Sequence, residues 1–137
     1  MKPYYETDNG FLIHGDCLEV MQDIPDGSVD LVLTDPPYGT TACKWDSIIP
    51  LEPMWEQLKR VIKKNGAIVL TASQPFTTTL ISSNMDDFKY CWYWNKKQGG
   101  HPLNAKRQPL KIVEDVVVFN SAYYYPQMRK GKFRKKG

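Results

Sequence analysis

Asp35-Pro36-Pro37-Tyr38 follows directly on the apolar run SVDLVLT at 28–34. A carboxylate, two residues without N–H groups and an aromatic ring in one rigid turn suit one kind of chemistry. The exocyclic amine of a nucleobase is a poor nucleophile, because its lone pair is delocalised into the ring. Two acceptors placed on its two N–H bonds would draw the nitrogen toward a tetrahedral shape and free that pair. Asp35 can supply a carboxylate oxygen. Pro36 can supply its backbone carbonyl, whose position consecutive prolines restrict. Tyr38 offers a face on which a base can stack, worth ~1–3 kcal/mol, and a base in a duplex must flip out to reach it. Any rate gain would come from positioning and electrostatics, with no covalent bond to the protein. An Asp-Pro-Pro taken alone is more often a plain turn with the aromatic ring packed on it. The strand ahead of it, and a second strand ending in Gly15-Asp16 upstream, shift the balance toward chemistry.

The elements that must position this turn can be read from periodicity. FLIH at 11–14 predicts a short strand, and Asp16 can cap a helix over 17–23. Pro25-Asp26-Gly27 marks a turn. SVDLVLT is nearly continuous in apolar residues, as expected of a strand covered on both faces. Leu51, Met54, Trp55, Leu58, Val61 and Ile62 recur at helical spacing and predict a helix over 51–64, terminated by Asn65-Gly66. AIVLTA at 67–72 reads as another buried strand, 75–84 as a short helix, 88–95 as an aromatic strand, 98–109 as a loop and 111–120 as a last strand. Alternating strands and helices with apolar central strands predict an open parallel α/β sheet. In such a sheet, sites form at the C-terminal ends of the strands, which is where Asp35 falls.

The chain has 137 residues, 42% of them hydrophobic, enough for one domain with a real core. Its charge is uneven. Residues 129–137, RKGKFRKKG, hold six of the 18 basic residues and no acid, so the rest carries twelve basic residues against 15 acidic ones. The expected division is a domain over 1–128 and a basic, disordered tail over 129–137. Arg129 and Lys130 open that tail, which suits phosphate backbones; a merely solvated end is an equal alternative. Cys17, Cys43 and Cys91 are odd in number and form no C-x-x-C pair, which reads as reduced thiols with no disulfide frame and no metal centre. With no apolar run long enough to span a bilayer and no leader-like start, a cytoplasmic protein without membrane contact is expected.

Further contacts are weaker. Trp92, Tyr93 and Trp94 alternate on the aromatic strand, where core packing is the commoner reason for such a pattern. Trp94, Lys96 and Lys97 are candidates to touch DNA near the strand end. Asn104 and Arg107 sit in a Pro/Gly-flanked loop able to reach phosphates, or simply solvated there. Trp45 can clamp the loop after Tyr38 or pack on it.

The segment HGDCLEVMQDIPDGSVDLVLTDPPYG resembles the opening of the N-4/N-6 DNA methylase family. The likeness continues through the helix at 51–64 and WYWNKKQ to the EDVVVF strand. It implies a partial Rossmann-like sheet of the S-adenosylmethionine-dependent methyltransferases. It also implies that Asp35, Pro36, Pro37 and Tyr38 form the catalytic loop, that Asp16 and Asp35 contact the cofactor S-adenosylmethionine, and that the substrate is double-stranded DNA. Asp-Pro-Pro-Tyr favours adenine N6 within the family, and Ser-Pro-Pro-Tyr cytosine N4. The family's sheet order, 3-2-1-4-5-7-6, would make 11–14 strand 3 and 29–34 strand 4.

The family's F-x-G-x-G cofactor loop is missing from this sequence. The likeness is therefore to the permuted type, in which the catalytic motif comes first. The expectation is an N-terminal catalytic half without the cofactor-loop strands, inactive alone, whose apolar strand 29–34 would pair with a complementing C-terminal half or a second copy. The alternatives are a non-enzymatic DNA-binding remnant or a subunit of a split enzyme, and, less favoured, a protein-glutamine or RNA methyltransferase.

Overall fold

The computed structural model describes residues 2–100, 102–121 and 123–131, with Asn104 described by its backbone alone. Two short strands, β1 (Tyr5–Thr7) and β2 (Gly10–Leu12), pair antiparallel through Tyr5↔Leu12 and Thr7↔Gly10. Helix α1 (Cys17–Met21) follows, its first turn capped by the Asp16 carboxylate accepting from the Leu18 amide at 2.8 Å. The main sheet contains β3 (Val29–Thr34), β4 (Ile62–Ala72), β5 (Phe88–Gly100) and β6 (Lys111–Phe119) in the order β3-β4-β6-β5. β3 and β4 are parallel, whereas β6 runs antiparallel to both β4 and β5. Three strands thus share a direction and β6 alone is reversed.

This order is the 4-5-7-6 portion of the expected family sheet. Two expectations are corrected. The sheet is mixed rather than parallel, because β5 and β6 form a hairpin and a hairpin is necessarily antiparallel. The strand at 11–14 is not in the main sheet: Gly10–Leu12 pairs with Tyr5–Thr7 instead, since Asp8-Asn9-Gly10 can close a local turn at less entropic cost than a distant pairing.

Helix α2 (Leu51–Val61) buries Met54, Trp55, Leu58 and Val61, the stripe read from the sequence. Burying such side chains contributes roughly 1.5–3 kcal/mol each. The helix stops three residues earlier than the sequence spacing predicts. Ile62 is already extended and pairs with Val29, and a register shift at Lys63–Gly66 absorbs the surplus before Ala67 meets Leu31. Asn65-Gly66 therefore marks an irregularity in a strand. Helix α3 (Phe76–Ser82) adds Phe76 and Leu80 to the same core. The indole of Trp55 packs edge-on to Phe119 at 4.7 Å and donates to Ser83 Oγ at 2.8 Å. Arg60 on α2 reaches the carbonyls of Met21 and Ile24 at 2.6 and 2.8 Å and the carboxylate of Asp26, which fixes α1 and the following turn. Gly27 holds φ +57° in that turn, as Asp-Gly suggested.

The core lies on one face of the sheet. Ile68, Leu70 and Ala72 of β4 and Val117 and Phe119 of β6 meet α2 and α3. The opposite face carries Leu31 and Leu33 of β3, Val69 of β4, Val116 and Val118 of β6 and Trp92 and Trp94 of β5, as the register and the two-residue period require. No helix among the described residues packs across this second face. Leu31 and Leu33 are 53% and 68% exposed, and β3 is an edge strand. The expectation that β3 is covered on both faces is corrected: its Val29 and Val32 pack on the core, while its leucines face outward. No described helix is long and apolar enough to cross a membrane.

Candidate active site

The turn Asp35-Pro36-Pro37-Tyr38 leaves the C-terminal end of β3, where β4 also ends in Thr71 and Ala72. The parallel register sets Thr34 beside Leu70, so Asp35 comes level with Thr71. The Tyr38 hydroxyl donates to Asp35 Oδ1 at 2.6 Å and lies 2.8 Å from Thr71 Oγ1, which itself donates to Asp35 Oδ1. Asp35 Oδ2 takes no hydrogen bond from the described residues, and the side chain is exposed. Pro36 is buried and holds the turn against the sheet.

Tyr38 is half-buried, with its ring stacked on Phe76 at 5.4 Å and 21°. Phe76 thus occupies one face of the ring that the sequence offered to a base. Tyr38 also divides two hollows. One, of about 250 Å³, is lined by Asp35, Pro36, Pro37, Thr40, Trp45 and Asp46. The other, of about 340 Å³, runs between Ser73-Gln74, Lys96, Glu114 and the loop at 108–111. Burial and, next, the hydrogen-bonded Asp35 carboxylate push the Tyr38 hydroxyl far above its ordinary 10.0. It is a neutral donor here and cannot act as a base.

The sign of this shift sets an alkaline limit. Folding favours neutral Tyr38, so this contribution is full below pH 10 and is lost as the pH climbs toward the raised folded value. In a titration followed by phenolate absorbance, one of the eight tyrosines is expected to ionise well after the others. Asp35→Asn removes the anion and should bring that late step down. Simultaneous ionisation of all eight in the folded chain would contradict the arrangement.

The loop after Tyr38 is tied from within. Asp46, buried, accepts from the amides of Gly39 and Thr40 at 2.9 Å and Thr41 at 2.7 Å. The Thr41 hydroxyl and then these amides hold its carboxyl down at about 2. Gly39 sits at φ +67°, where a β-carbon would also meet Ile48 at 2.8 Å. Trp45, 74% exposed, stands over the smaller hollow and does not pack into the core.

The other sequence candidates are spread out. Asp16 spends Oδ1 on capping α1 and makes no described contact with Asp35. Lys96 joins the site by lining the larger hollow with Tyr38, but its amine is bound to Glu114 Oε1 at 2.6 Å and lies 5.9 Å from the Trp94 ring centroid. Trp94 is 55% exposed on the open sheet face. Lys97, in the left-handed region at φ 63°, and Arg107 are exposed, as are Arg129 and Lys130 in a stretch without regular structure. The Asn104 side chain and residues 132–137 of the basic tail lie outside the described residues. Sequence reasoning missed Thr71, Phe76, Asp46 and Glu114. Thr71 had a signal, since Val-Leu-Thr closes β3 at 32–34 and recurs one residue before the end of β4 at 69–71.

In fold, 86% of the chain superposes on 51% of the cytosine-N4-specific PvuII DNA methyltransferase, with a TM-score of 0.68 at 20% identity. Likewise, 88% superposes on 60% of M1.HpyAVI in its complex with SAM, with a TM-score of 0.61 at 18% identity. The chain has the fold of the S-adenosylmethionine-dependent methyltransferases. Within that methyltransferase fold it provides the partial mixed sheet described above. Its sequence is similar to curated type II DNA methyltransferases. It is 50% identical over 39 residues to M.BamHI of Bacillus amyloliquefaciens, covering 28% of this chain and 9% of that enzyme. It is 31% identical over 94 residues to M2.LlaDCHI of Lactococcus lactis subsp. cremoris, covering 53% of this chain and 35% of that enzyme. No protein-family model matches. The chain thus spans between half and three fifths of these solved methyltransferases, and the matched segment about a third or less of these curated ones.

Proposed function

We propose that this chain carries the catalytic half of a DNA amino-methyltransferase and acts on adenine N6. The observation that carries the reading is the tethered Asp35 carboxylate at the C-terminal end of a strand: Oδ1 is held by Thr71 and Tyr38, and Oδ2 takes no hydrogen bond from the described residues. Oδ2 and the Pro36 carbonyl accept the two N–H bonds of a flipped base and free its lone pair. The nitrogen would then form its bond to the methyl carbon as the methyl–sulfur bond of the donor breaks and leaves a neutral thioether, and one amine proton would pass to water. The Asp at the head of the loop favours adenine by the family pattern, although the PvuII enzyme with the same fold is cytosine-N4-specific.

S-adenosylmethionine, named in the M1.HpyAVI complex, fits part of what is present. It is cationic at sulfur and at its amino group, and the negative charge of the Asp35 carboxylate beside the hollow under Trp45 suits a cation. Asp16 is proposed as a second contact. When bound, the cofactor supplies the methyl group. Among the described residues no Gly-x-Gly loop cradles its carboxylate, so a complementing C-terminal half or the partner of a homodimer is proposed to complete the site. Double-stranded DNA is the proposed substrate, held by Trp94, Lys97, Asn104, Arg107, Arg129 and Lys130, with Lys96 released from Glu114 where it engages phosphate.

The test joins this chain to the cofactor-binding segment of a matched relative such as M2.LlaDCHI and supplies DNA with radiolabelled S-adenosylmethionine. Label is expected in DNA and, after digestion, in N6-methyladenine. Label in N4-methylcytosine would overturn the adenine assignment. A joined protein that binds the cofactor by calorimetry yet transfers nothing would overturn the catalytic one. A folded joined protein that binds no cofactor would overturn the complementing-half reading.

A further inference from the structure

We propose that Thr71 is a positioning residue that aims the Asp35 carboxylate. The inference rests on Asp35 being the group that engages the amine. Asp35 is exposed on a turn, so nothing in the packing stops its carboxylate from rotating. Its orientation must come from hydrogen bonds, and those of Tyr38 and Thr71 both converge on Oδ1.

The three oxygens of Tyr38, Thr71 and Asp35 share two hydroxyl protons. Tyr38 gives its proton either to Asp35 or to Thr71. In either arrangement Thr71 can give its own to Asp35 Oδ1. Thr71 thus reaches Oδ1 whichever acceptor Tyr38 takes. The two donors also differ in footing. Tyr38 belongs to the same turn as Asp35 and rests on Phe76 of α3, whereas Thr71 is fixed in β4 by pairing with Val116 of β6. Only Thr71 refers the carboxylate to the sheet. With Oδ1 pinned there, Oδ2 keeps a single direction toward incoming substrate.

Two substitutions separate this role from a structural one. Valine has the shape of threonine and favours strands at least as well, whereas serine keeps the hydroxyl and loses the methyl group. Packing alone would make Thr71→Val harmless and Thr71→Ser harmful. Positioning reverses that order. In the joined enzyme, Thr71→Val is expected to lower kcat on the order of tenfold to a hundredfold, the cost of a slightly misplaced reacting group. KM for DNA and the melting temperature should hold. Thr71→Ser should restore most of kcat. A Thr71→Val enzyme with unchanged kcat overturns the inference while leaving the Asp35 reading intact; a parent enzyme that binds cofactor but transfers no methyl group overturns that reading first. In the chain alone, the Thr71 hydroxyl proton should exchange slowly by NMR and lose that protection in Asp35→Ala. Fast exchange in the parent chain would also overturn the inference.

Discussion

Replacing Asp35 by alanine is expected to lower methyl transfer by the joined enzyme on the order of 10²–10³-fold, by analogy with the loss of one preorganised electrostatic partner. Only a small part of this effect should appear in binding. The carboxylate meets the amine nitrogen, and that contact strengthens as the lone pair leaves the ring, so the loss falls on the transition state. DNA phosphates are proposed to be held by the basic residues elsewhere, so anisotropy titrations should show DNA affinity close to that of the parent. Asp35→Asn is the more searching variant. Its amide oxygen can still receive from Thr71, but its NH₂ then points a donor at the substrate's own donors. It should be as inactive as alanine despite its near-identical shape. Turnover within a few-fold of the parent in either variant would remove Asp35 from the chemistry. The Tyr38 hydroxyl offers no substitute, because burial, the larger cause of its raised pKa, still keeps its proton on.

What the sequence disclosed follows from which forces are local. The helix α2 stripe, the Asp16 cap, the Asp26-Gly27 turn and the apolar strands are set by neighbours a few residues apart, and all were legible. The position of Asp35 was legible for the same reason, since a strand end followed by Pro-Pro leaves little choice of path. The end of α2 was misread because Ile62 has the right spacing to continue the helix, yet gains more by pairing with Val29, a partner 33 positions away. The β2 strand was misplaced because three residues carry too little pattern to choose between a local hairpin and a distant edge. The partners of Asp35 and Tyr38 were unread on the same principle. Thr71 meets Asp35 only through the register of two parallel strands, and Phe76 meets Tyr38 only because α3 starts where β4 ends. Lys96 shows the limit from the other side: a basic residue beside an aromatic reads as a nucleic-acid contact, and its ion pair with Glu114 on the neighbouring strand was not legible.

The second large effect concerns the open face of the sheet. The chain in isolation is expected to self-associate, and Leu31→Lys with Leu33→Lys is expected to weaken that association by about a thousandfold. Among the described residues β3 is an edge strand with no neighbour on one side, and edges of this kind template pairing with another chain. The same face of the sheet exposes both leucines and, on the far edge strand β5, the half-exposed indoles of Trp92 and Trp94. Exposed apolar side chains on an open edge favour association. A symmetric pair of chains would cover two leucines from each copy. Each is more than half exposed, so covering it gains about 1 kcal/mol, and four such gains come to about 4 kcal/mol, or roughly three powers of ten in the association constant. Lysine at both positions forfeits that gain and sets like charges across the contact. It costs the single chain little, because Leu31 and Leu33 touch solvent more than core while Val29 and Val32 keep β3 in place. Sedimentation or light scattering over a range of concentrations, paired with circular dichroism, reads the result. The parent should be dimeric or larger and the double lysine variant a folded monomer. The cofactor-binding segment that competes for the same edge should also dissociate the parent. A parent chain that stays a compact monomer at every concentration would show that this face needs no cover, and would leave the lack of a Gly-x-Gly loop as the sole reason given for expecting a complementing half.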